Sequence, residues 1–517
     1  MTTVVRPSVV GSHHLGRLAE QHLERVGDHQ SLLFEGQWHS SAEMFGRAER
    51  VAGGLRESGV LPGDRVVVLM MNTPEVGITY QALWRAGAVV TPVLFLISPA
   101  ELRHVLEDSG AAAVVVTPEL LPLLRSATHL EGADPLHLTV LLVGEAPEGE
   151  TGTTPYAELE RSAPLALTPR EDDDLAALLY TGGTTGRSKG VMLSHCGLWS
   201  SGHGLHENSR AMTVTRGILP LPLSHAYGLI VTIGGMHAEE PRLSVLQRWF
   251  NAEDWVRLVE EHRLESSSVV PSMLTMLLAL PLEQHDLSSL RYFGSGGAPL
   301  PPALRQEVHD RLGVEIFEGY GCTESSAVIS ASAPGANRPG SVGRPLPHAE
   351  VAILDDDGHP VPTGGDGEIC VRGAGVMLGY WKSAEQTAST VVDSWLHTGD
   401  IGRLDDEGFL YVVDRKKDLI IRGGFNVFPR DVEDVLLEHP DVAQAAVVGR
   451  TDDAHGEEVV AFVALRAGAT VTGEELVAYG KERLSKVKYP REVRVLPQVP
   501  LTSVGKTDRK AVRALVR

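Results

Sequence analysis

The amino-acid sequence predicts an α/β protein with a large N-terminal domain of sheets flanked by helices and a small α+β C-terminal domain. Three observations lead to this prediction. The chain has 517 residues, which is too many for a single hydrophobic core. Short apolar runs alternate with helical patterns, as in βαβ units with largely parallel sheets. The composition also changes near residue 400, so the first domain is expected to end at about Asp414.

The N-terminal elements follow from capping signals and periodicity. Ser40 and Glu43 form a predicted capping box, after which apolar residues recur at helical spacing until Gly59. Short, continuous apolar runs are typical of buried parallel strands. The predicted strands are 65–70, 112–116 and 267–270, with another short apolar run at 87–91. The predicted helices are one that ends at Arg85, 101–106 and 251–263.

The C-terminal elements begin after a turn at 405–408 and a short strand at 409–413. The charged run 414–418 is interpreted as a surface crossing between the two domains. A compact α+β pattern follows, with a helix over 429–438, strands over 445–448 and 459–465, and a second capping box from Thr472 to Glu475.

The overall charge and the cysteine content exclude several classes of function. A formal net charge of -21 argues against binding to nucleic acid or to a membrane surface. The three cysteines, Cys196, Cys322 and Cys370, are scattered, so we expect neither a disulfide framework nor a metal cage. The first ten residues lack a secretory pattern, and no run of about 20 apolar residues could span a bilayer. We therefore expect a soluble, cytoplasmic protein.

The strongest chemical signal is the glycine- and threonine-rich segment 180–190, which directly follows the apolar run 175–179. Its glycines allow close approach of the backbone to a ligand, while its hydroxyls and Lys189 suit a polyphosphate. A Walker-type phosphate loop would need Gly before the lysine and Ser or Thr after it. Here Ser188 precedes Lys189 and Gly190 follows it. The spacing thus disfavours a P-loop kinase or ATPase.

The segment resembles the phosphate loop of the adenylate-forming superfamily, which comprises acyl-CoA synthetases, beetle luciferases and peptide-synthetase adenylation domains. Gly182 stands where that loop commonly has Ser, and Ser188 where it commonly has Pro. Both differences keep the backbone amides and loosen the loop. The resemblance implies ATP contacts from Thr181, Gly182, Gly183, Thr184, Thr185, Gly186 and Lys189, with Thr185 also catalytic and a ligand of Mg²⁺.

Further segments of the same superfamily follow in order. The run 222–228 resembles the segment whose histidine, here His225, lies beside the acyl pocket and counts among the catalytic residues. The segment 318–324 implies that Tyr320 stacks on adenine, that Thr323 holds the α-phosphate and that Glu324 is a catalytic ligand of Mg²⁺. Together with the turn 294–299, the resemblance adds nucleotide contacts from Gly296, Gly297, Ala298, Pro299, Glu318, Gly319 and Gly321.

The later motifs concern the ribose and the small domain. The strands at 367–373 and 379–380 resemble a structural pair without chemistry. Asp400 matches a residue that binds both ribose hydroxyls, since a carboxylate accepts two hydrogen bonds at once. Arg415 matches its basic partner, and Lys417 matches the pivot between the domains.

The last motif, 500–509, contains Lys506, which the resemblance makes the catalytic lysine of adenylation. Gly423 and Gly424 belong to a segment that would replace Lys506 in the site when a thiol, on the coenzyme A side, attacks. The resemblance covers the chain from about Ser40 to Arg509. It implies residues 1–414 as the large domain with a distorted β-barrel subdomain, 415–418 as a hinge, and 419–517 as a small domain that rotates on it.

The leading interpretation is an AMP-forming acyl-CoA ligase that uses ATP, Mg²⁺ and coenzyme A in fatty-acid or secondary metabolism. One alternative is a stand-alone adenylating enzyme that loads a separate acyl carrier protein. An alternative of another class is a catalytically silent nucleotide-binding protein. The small residues near the predicted pocket favour a hydrophobic aliphatic or polycyclic acid, and we expect a monomer or homodimer. The pocket candidates are His225, Ala226, Tyr227, Gly228, Ser325, Gly296 and Gly297.

Overall fold

The computed structural model describes residues 10–181, 187–452, 455–502 and 506–516. These residues form two large sheets with flanking helices, a smaller antiparallel sheet and a separate C-terminal sheet. The predicted α/β architecture, with a small α+β domain at the C-terminus, is confirmed. No helix in these four ranges is long and apolar enough to cross a membrane.

The first large sheet has eight strands among the described residues and is parallel through its centre. The residues of its central strands are almost fully buried, as the β-branched runs in the sequence predict. Only at one end, where a strand returns from the phosphate-loop segment, does the pairing become antiparallel. In spatial order its strands are Gly379–Tyr380, Lys189–Ser194, Leu175–Thr181, Val89–Pro92, Arg65–Leu69, Ala113–Val116, Thr139–Leu142 and Thr154–Pro155.

The second large sheet has nine strands in the described ranges, with parallel pairing from its third strand to its eighth. Because these strands run the same way, the loops that follow them meet at one edge, where ligands of open α/β sheets bind. Its strands, in spatial order, are Arg344–Pro345, Ser330–Ala331, Glu315–Tyr320, Tyr292–Gly296, Ser266–Val269, Arg216–Leu219, Leu243–Leu246, Gln30–Phe34 and Gln37–Ser40.

Helices cover both large sheets, and their ends follow the predicted signals. The Ser40–Glu43 capping box is present, with hydrogen bonds in both directions. The helix predicted over 251–263 spans Ala252–His262, between an Asn251 N-cap and a left-handed Arg263. The α-helices of this region are Leu15–Val26, Ser41–Glu57, Pro74–Arg85, Pro99–Ser109, Leu121–Thr128, Tyr156–Leu159, His195–Ser209, Ala226–Gly235, Ala252–His262, Pro271–Leu278, Pro302–Leu312 and Ala384–Thr390; short 3₁₀ turns lie at Pro118–Leu120, Arg210–Met212, Leu282–Gln284 and Thr323–Ser325.

The smaller sheet lies where a distorted β-barrel subdomain is expected, and its pairing is antiparallel. It consists of Ala349–Leu354, Gly367–Gly373, Val391–Val392, Trp395–Leu404 and Leu410–Arg415. The predicted pairing of 367–373 with 379–380 is wrong. Gly379–Tyr380 instead pairs with Met192 and Val191 of the first large sheet, so this short strand joins the smaller sheet's region to the phosphate-loop hairpin.

The C-terminal domain has its own sheet and two cores. The sheet contains Ile420–Arg422, Phe425–Val427, Val442–Asp452, Gly456–Leu465 and Glu492–Leu496, and the last of these runs parallel to its neighbour. The helices are Pro429–Leu437, Gly473–Arg483 and Arg509–Ala514, and the predicted Thr472–Glu475 capping box is present. One core includes residues of Pro429–Leu437 and Gly473–Arg483, and the other includes Val512 of Arg509–Ala514.

The charged run 414–418 is not simply a surface crossing, as the sequence suggested. Its two acidic residues are buried, at 7% exposure for Asp414 and 5% for Asp418. Asp418 forms a 2.6 Å ion pair with Arg513, and Asp414 accepts a 2.9 Å hydrogen bond from the backbone amide of Arg430. Buried charges persist only with such partners. The run therefore packs against the C-terminal domain.

Candidate active site

One large cavity, of about 460 Å³, opens at the edge of the nine-stranded sheet where its parallel strands end. Its lining includes predicted site residues from three segments of the large domain and one residue of the small domain. These are His225, Ala226, Tyr227, Gly296, Gly297, Glu318, Gly319, Tyr320, Gly321, Thr323 and Lys506. Segments that are up to 281 residues apart in sequence thus meet around one space.

Lys506 enters this cavity from the C-terminal domain. Leu501 and Thr507 form an isolated β-bridge, and the Thr502 amide donates a 2.7 Å hydrogen bond to the Lys506 carbonyl. The Cε atom of Lys506 lies 3.6 Å from the place where a Cβ atom on Gly297 would sit. Burial lowers the pKa of the Lys506 amine, and the nearby positive charge of Arg415 acts in the same direction.

The predicted ribose carboxylate, Asp400, is buried and already engaged on both oxygens. Tyr320 donates a 2.7 Å hydrogen bond from its phenol to Oδ2, and Arg415 Nε lies 3.3 Å from Oδ1. Burial raises the pKa of Asp400, while Arg415 and Tyr320 oppose that rise. Asp400, Arg415 and Tyr320 thus form one connected group, which holds the carboxylate in a fixed orientation.

Glu318 is the acid that sequence reasoning placed among the nucleotide contacts. It is 6% exposed and forms a 2.5 Å ion pair with Arg305 from the helix Pro302–Leu312. Burial raises the pKa of Glu318, and the Arg305 guanidinium opposes this effect. The pair links that helix to the strand Glu315–Tyr320, so it positions the start of the 318–324 segment.

Tyr380 is a site residue that sequence reasoning missed. Its phenol donates a 2.9 Å hydrogen bond to Oε1 of Glu324, the predicted Mg²⁺ ligand. Its ring faces the Lys189 ammonium, with Nζ 4.9 Å from the ring centroid, within cation–π range. Tyr380 therefore connects the predicted metal carboxylate with the lysine of the phosphate loop. The aromatic residue after Gly379 was the available signal, but its partners lie 56 and 191 residues away.

His225 forms the N-cap of the helix Ala226–Gly235. Its Nδ1 atom accepts a 3.2 Å hydrogen bond from the Tyr227 amide, so this nitrogen carries no proton. Burial lowers the pKa of His225 to about 4, and the Lys506 charge acts in the same direction. His225 is therefore a neutral helix cap that also faces the cavity. Tyr227 donates a 3.1 Å hydrogen bond to the Gly294 carbonyl.

Two of the predicted pocket residues lie elsewhere. Gly228 packs against Pro222, and a Cβ atom there would lie 2.1 Å from the Pro222 carbonyl oxygen. Ser325 turns its hydroxyl back to the Cys322 carbonyl at 3.0 Å. Both residues are thus used in local packing, and neither is among the described residues that line the large cavity.

The remaining predicted residues lie around this centre or outside the described ranges. Thr181 ends the strand Leu175–Thr181, and Lys189 begins the returning strand, with Gly182, Gly183, Thr184, Thr185 and Gly186 outside the described residues. Ala298 and Pro299 follow directly after Gly297, whose φ of +80° starts the turn. Neither they, nor Gly423 and Gly424 at the tip of a hairpin, line the cavity in the described residues.

Lys417 lies in the 3₁₀ turn Lys416–Asp418, between the last strand of the smaller sheet and the first strand of the C-terminal sheet. Its carbonyl accepts a 3.4 Å hydrogen bond from Arg513. Burial lowers the pKa of its amine, and the Arg415 charge lowers it further.

Comparison with known proteins agrees with this geometry. Residues 19–381 match the family described as AMP-binding enzyme, and residues 431–506 match the AMP-binding enzyme C-terminal domain. An indoleacetate–CoA ligase from Aromatoleum aromaticum is 36% identical over 92% of this chain and 93% of its own length. A medium/long-chain-fatty-acid–CoA ligase from Mycobacterium tuberculosis is 36% identical over 97% of this chain and 90% of its own length. The crystal structure of an anthranilate CoA ligase in complex with anthranoyl-AMP superposes with a TM-score of 0.89 at 26% identity, covering 97% of each chain.

Proposed function

The chain belongs to the AMP-binding enzyme family, and from this premise we propose that it is an AMP-forming acyl-CoA ligase. It joins a carboxylic acid to the AMP portion of ATP and then transfers the acyl group to coenzyme A. The relatives with the quoted similarity are named as CoA ligases, which supports this class of reaction. The acid is proposed to have a largely hydrophobic skeleton, since apolar side chains such as Met44, Phe45 and Ile230 line the cavity.

The observation that carries the proposal is the position of Lys506. A lysine of the C-terminal domain reaches the cavity of the large domain beside Gly297, next to Tyr320 and Thr323. Lys506 is partly buried, and a cation at this point faces ligands inside the cavity. The group formed by Asp400, Tyr320 and Arg415 lies close enough for Arg415 and Asp400 to influence the amine.

In the first half-reaction, a carboxylate oxygen of the acid attacks the α-phosphorus of ATP, and the bond from that phosphorus to pyrophosphate breaks. Both reactants are anions, so their approach must be compensated by positive charge. Lys506 is placed to hold the attacking carboxylate and the α-phosphate together and to stabilise the charge of the transition state. In a site of low dielectric constant such a charge has a strong effect. Lys189 would neutralise the departing pyrophosphate.

Mg²⁺ is proposed to bind at Glu324, which directly follows the cavity-lining Thr323 and keeps Oε2 clear of the Tyr380 hydrogen bond. Oxygen ligands of this kind suit a hard divalent cation. When bound, the ion would supply neutralising charge to the triphosphate. Tyr380 holds the carboxylate in place, and Thr323 is proposed to contact the α-phosphate.

In the second half-reaction, the thiol sulfur of coenzyme A attacks the acyl carbon, the bond from that carbon to the phosphate oxygen of AMP breaks, and the thiol proton passes to solvent. Lys506 occupies the cavity in the present structure, so the C-terminal domain must move before the thiol can enter from that side. We place the pivot at Lys417 within a hinge at 415–418, with the domains at 1–414 and 419–517. The hairpin that contains Gly423 and Gly424 would then approach the site, and its exposed Phe425 and Ile421 offer an apolar surface for that docking.

The proposal is tested with purified protein, ATP, Mg²⁺ and a panel of fatty, aromatic and terpenoid acids. ATP–pyrophosphate exchange reports the first half-reaction, and mass spectrometry of acyl-CoA reports the second. The proposal expects exchange with at least one acid and formation of AMP and an acyl-CoA thioester in equal amounts. Exchange without thioester would refute coenzyme A as the acceptor and favour a carrier protein. Absence of exchange with every acid would refute the proposed activity.

A further inference from the structure

The cavity extends well beyond the reacting groups. It follows the strand Tyr292–Gly296 from Gly297, beside Lys506, back to Tyr292 at the opposite edge of the sheet. The five steps from Tyr292 to Gly297 correspond to roughly 16 Å of extended backbone. This end of the cavity is thus far from the adenylate, and it is the part that would contact the distal end of an acyl group.

Arg242 lies at this end, directly before the strand Leu243–Leu246. Its guanidinium forms no ion pair or hydrogen bond with any residue in the described part of the chain. Arg242 is partly buried, and an arginine that lines a cavity without a protein partner can pair with an anionic ligand. The site therefore offers an unused, fork-shaped set of donors to a ligand.

Two histidines line the same end of the cavity and are also unsatisfied. His206 is 5% exposed, and neither of its ring nitrogens has a hydrogen-bond partner among the described residues. The same holds for Nδ1 of His22. Burial lowers the pKa of His206, and the nearby charge of Arg242 lowers it further. The three side chains come from three separate elements and converge on one place.

The acidic residues in this neighbourhood are already engaged elsewhere. Glu265 accepts hydrogen bonds from the Thr215 and Arg216 amides at 2.7 Å and 3.1 Å. Glu239 forms a 2.6 Å ion pair with Arg210. Neither carboxylate is hydrogen-bonded to Arg242, so the protein itself does not neutralise this guanidinium. An acceptor from the substrate would do so.

From this cluster we infer that the preferred substrate is a dicarboxylic acid, whose second carboxylate binds Arg242, His206 and His22 while the first is adenylated beside Lys506. The inference rests on the proposed function and refines its substrate. Apolar side chains, among them Met212, Ile218 and Phe317, also line the cavity. The two carboxylates are therefore separated by a hydrophobic skeleton and not by a short chain.

The experiment compares matched pairs of acids that differ only at the distal end, such as linear dicarboxylic acids of 8 to 14 carbons and the corresponding monocarboxylic acids. Pyrophosphate release gives kcat/KM for each member of a pair in the wild-type protein and in Arg242→Met. Arg242→Met removes a charge-assisted hydrogen bond that only the diacid makes. The ratio of kcat/KM for the diacid to kcat/KM for the monoacid should therefore fall by about 10- to 100-fold. Arg242→Lys keeps the positive charge but lacks the planar guanidinium, so it should restore part of the preference for diacids.

Arg291→Met is the matched control, since Arg291 is an exposed arginine at the same sheet edge and its guanidinium bonds the Thr213 carbonyl. The ratio should stay at the wild-type value in this variant. Activation of monoacids with no preference for diacids, or a ratio unchanged in Arg242→Met, would overturn the inference while the ligase activity stands. Failure of all acids in both series would instead point against the proposed function.

Discussion

The Lys506 side chain and Gly297 are in contact across the two domains, with Nζ 4.0 Å and Cε 3.6 Å from the site of a Cβ atom on Gly297. Gly297 has a φ of +80°, a conformation that most residues with a side chain avoid. The glycine thus provides both the turn and the space into which the lysine extends. Because the two residues are 209 positions apart, only the packing of the domains brings them together.

This contact predicts that Lys506→Ala slows adenylation by roughly 10²-fold or more, the scale of losing one oriented charge. Thiol transfer from a synthetic acyl-AMP should be much less affected, since Lys506 has no proposed role in that step. Pyrophosphate exchange measures the first half-reaction, and thioester formation from synthetic acyl-AMP measures the second. Lys481→Ala, in an exposed part of the helix Gly473–Arg483, is the control. An equal loss of rate in both half-reactions would contradict a role of Lys506 that is confined to the first.

Lys417→Pro should block the second half-reaction and leave pyrophosphate exchange largely intact. Proline restricts φ and removes the backbone N–H at the proposed pivot, so it hinders the rotation that frees the cavity. The comparison is Lys417→Ala, which removes the charged side chain but leaves the backbone free to rotate. Thioester formation from synthetic acyl-AMP is the readout. Full turnover in the proline variant would show that the pivot lies elsewhere.

Asp400 should discriminate between nucleotides through their ribose hydroxyls. In Asp400→Ala, the preference for ATP over 3′-deoxy-ATP in pyrophosphate exchange should fall by about 10-fold, because the acceptor of that hydroxyl is missing. Tyr320→Phe removes only the 2.7 Å hydrogen bond that orients the carboxylate, so a smaller loss is expected. An unchanged preference in Asp400→Ala would mean that the ribose binds elsewhere.

Tyr380→Phe should raise the Mg²⁺ concentration required for half-maximal exchange by roughly 5-fold, since Glu324 loses a 2.9 Å hydrogen bond that holds it in place. The ring under Lys189 is kept in this variant and lost in Tyr380→Ala, which should also weaken ATP binding. Calorimetry of ATP binding with and without Mg²⁺ separates the two effects. Identical Mg²⁺ dependence in Tyr380→Phe and the wild type would contradict the proposed support of Glu324.

Much of the fold was predictable because its signals are local. The Ser40–Glu43 and Thr472–Glu475 capping boxes require only residues three positions apart, and both are present. Strands buried on both faces, such as Arg65–Leu69, are visible as apolar runs. A two-residue strand such as Gly379–Tyr380 carries no pattern that shows which sheet it joins, so its pairing was predicted wrongly.

The parts of the site that sequence could not predict depend on long-range contacts. The burial of Asp418 is stable because Arg513 reaches it from 95 positions later, so the charged run 414–418 looked like a solvent-exposed crossing. The cluster of Arg242, His206 and His22 arises from three elements whose individual residues suggest nothing unusual. The motifs that carry glycines, acids and lysines at set spacing were visible, whereas their supporting partners were not.

Acidification should destabilise the protein through two stacked histidines, His14 and His195, whose ring centroids are 4.5 Å apart. Each Nδ1 accepts a hydrogen bond from a backbone amide at the start of the helix Leu15–Val26, 3.0 Å from Gly16 and 3.2 Å from Leu15. Both imidazoles must therefore be neutral at Nδ1. Burial lowers the pKa of His14 to about 4, and it holds the pKa of His195 well below its usual range.

The pH dependence of the free energy of unfolding follows from these lowered pKa values. Between pH 6.5 and about 4, the unfolded chain binds a proton at position 14 that the folded protein does not, so the free energy of unfolding falls as the pH falls. At pH 5 the loss from His14 alone amounts to about 2 kcal/mol.

His14→Asn keeps a side-chain acceptor for the helix start but cannot titrate. The apparent Tm of this variant should fall less than that of the wild type between pH 7.5 and pH 5, whereas His359→Asn, at an exposed position, should follow the wild type. An equal decrease in apparent Tm between pH 7.5 and pH 5 in all three proteins would show that His14 does not control the acid sensitivity.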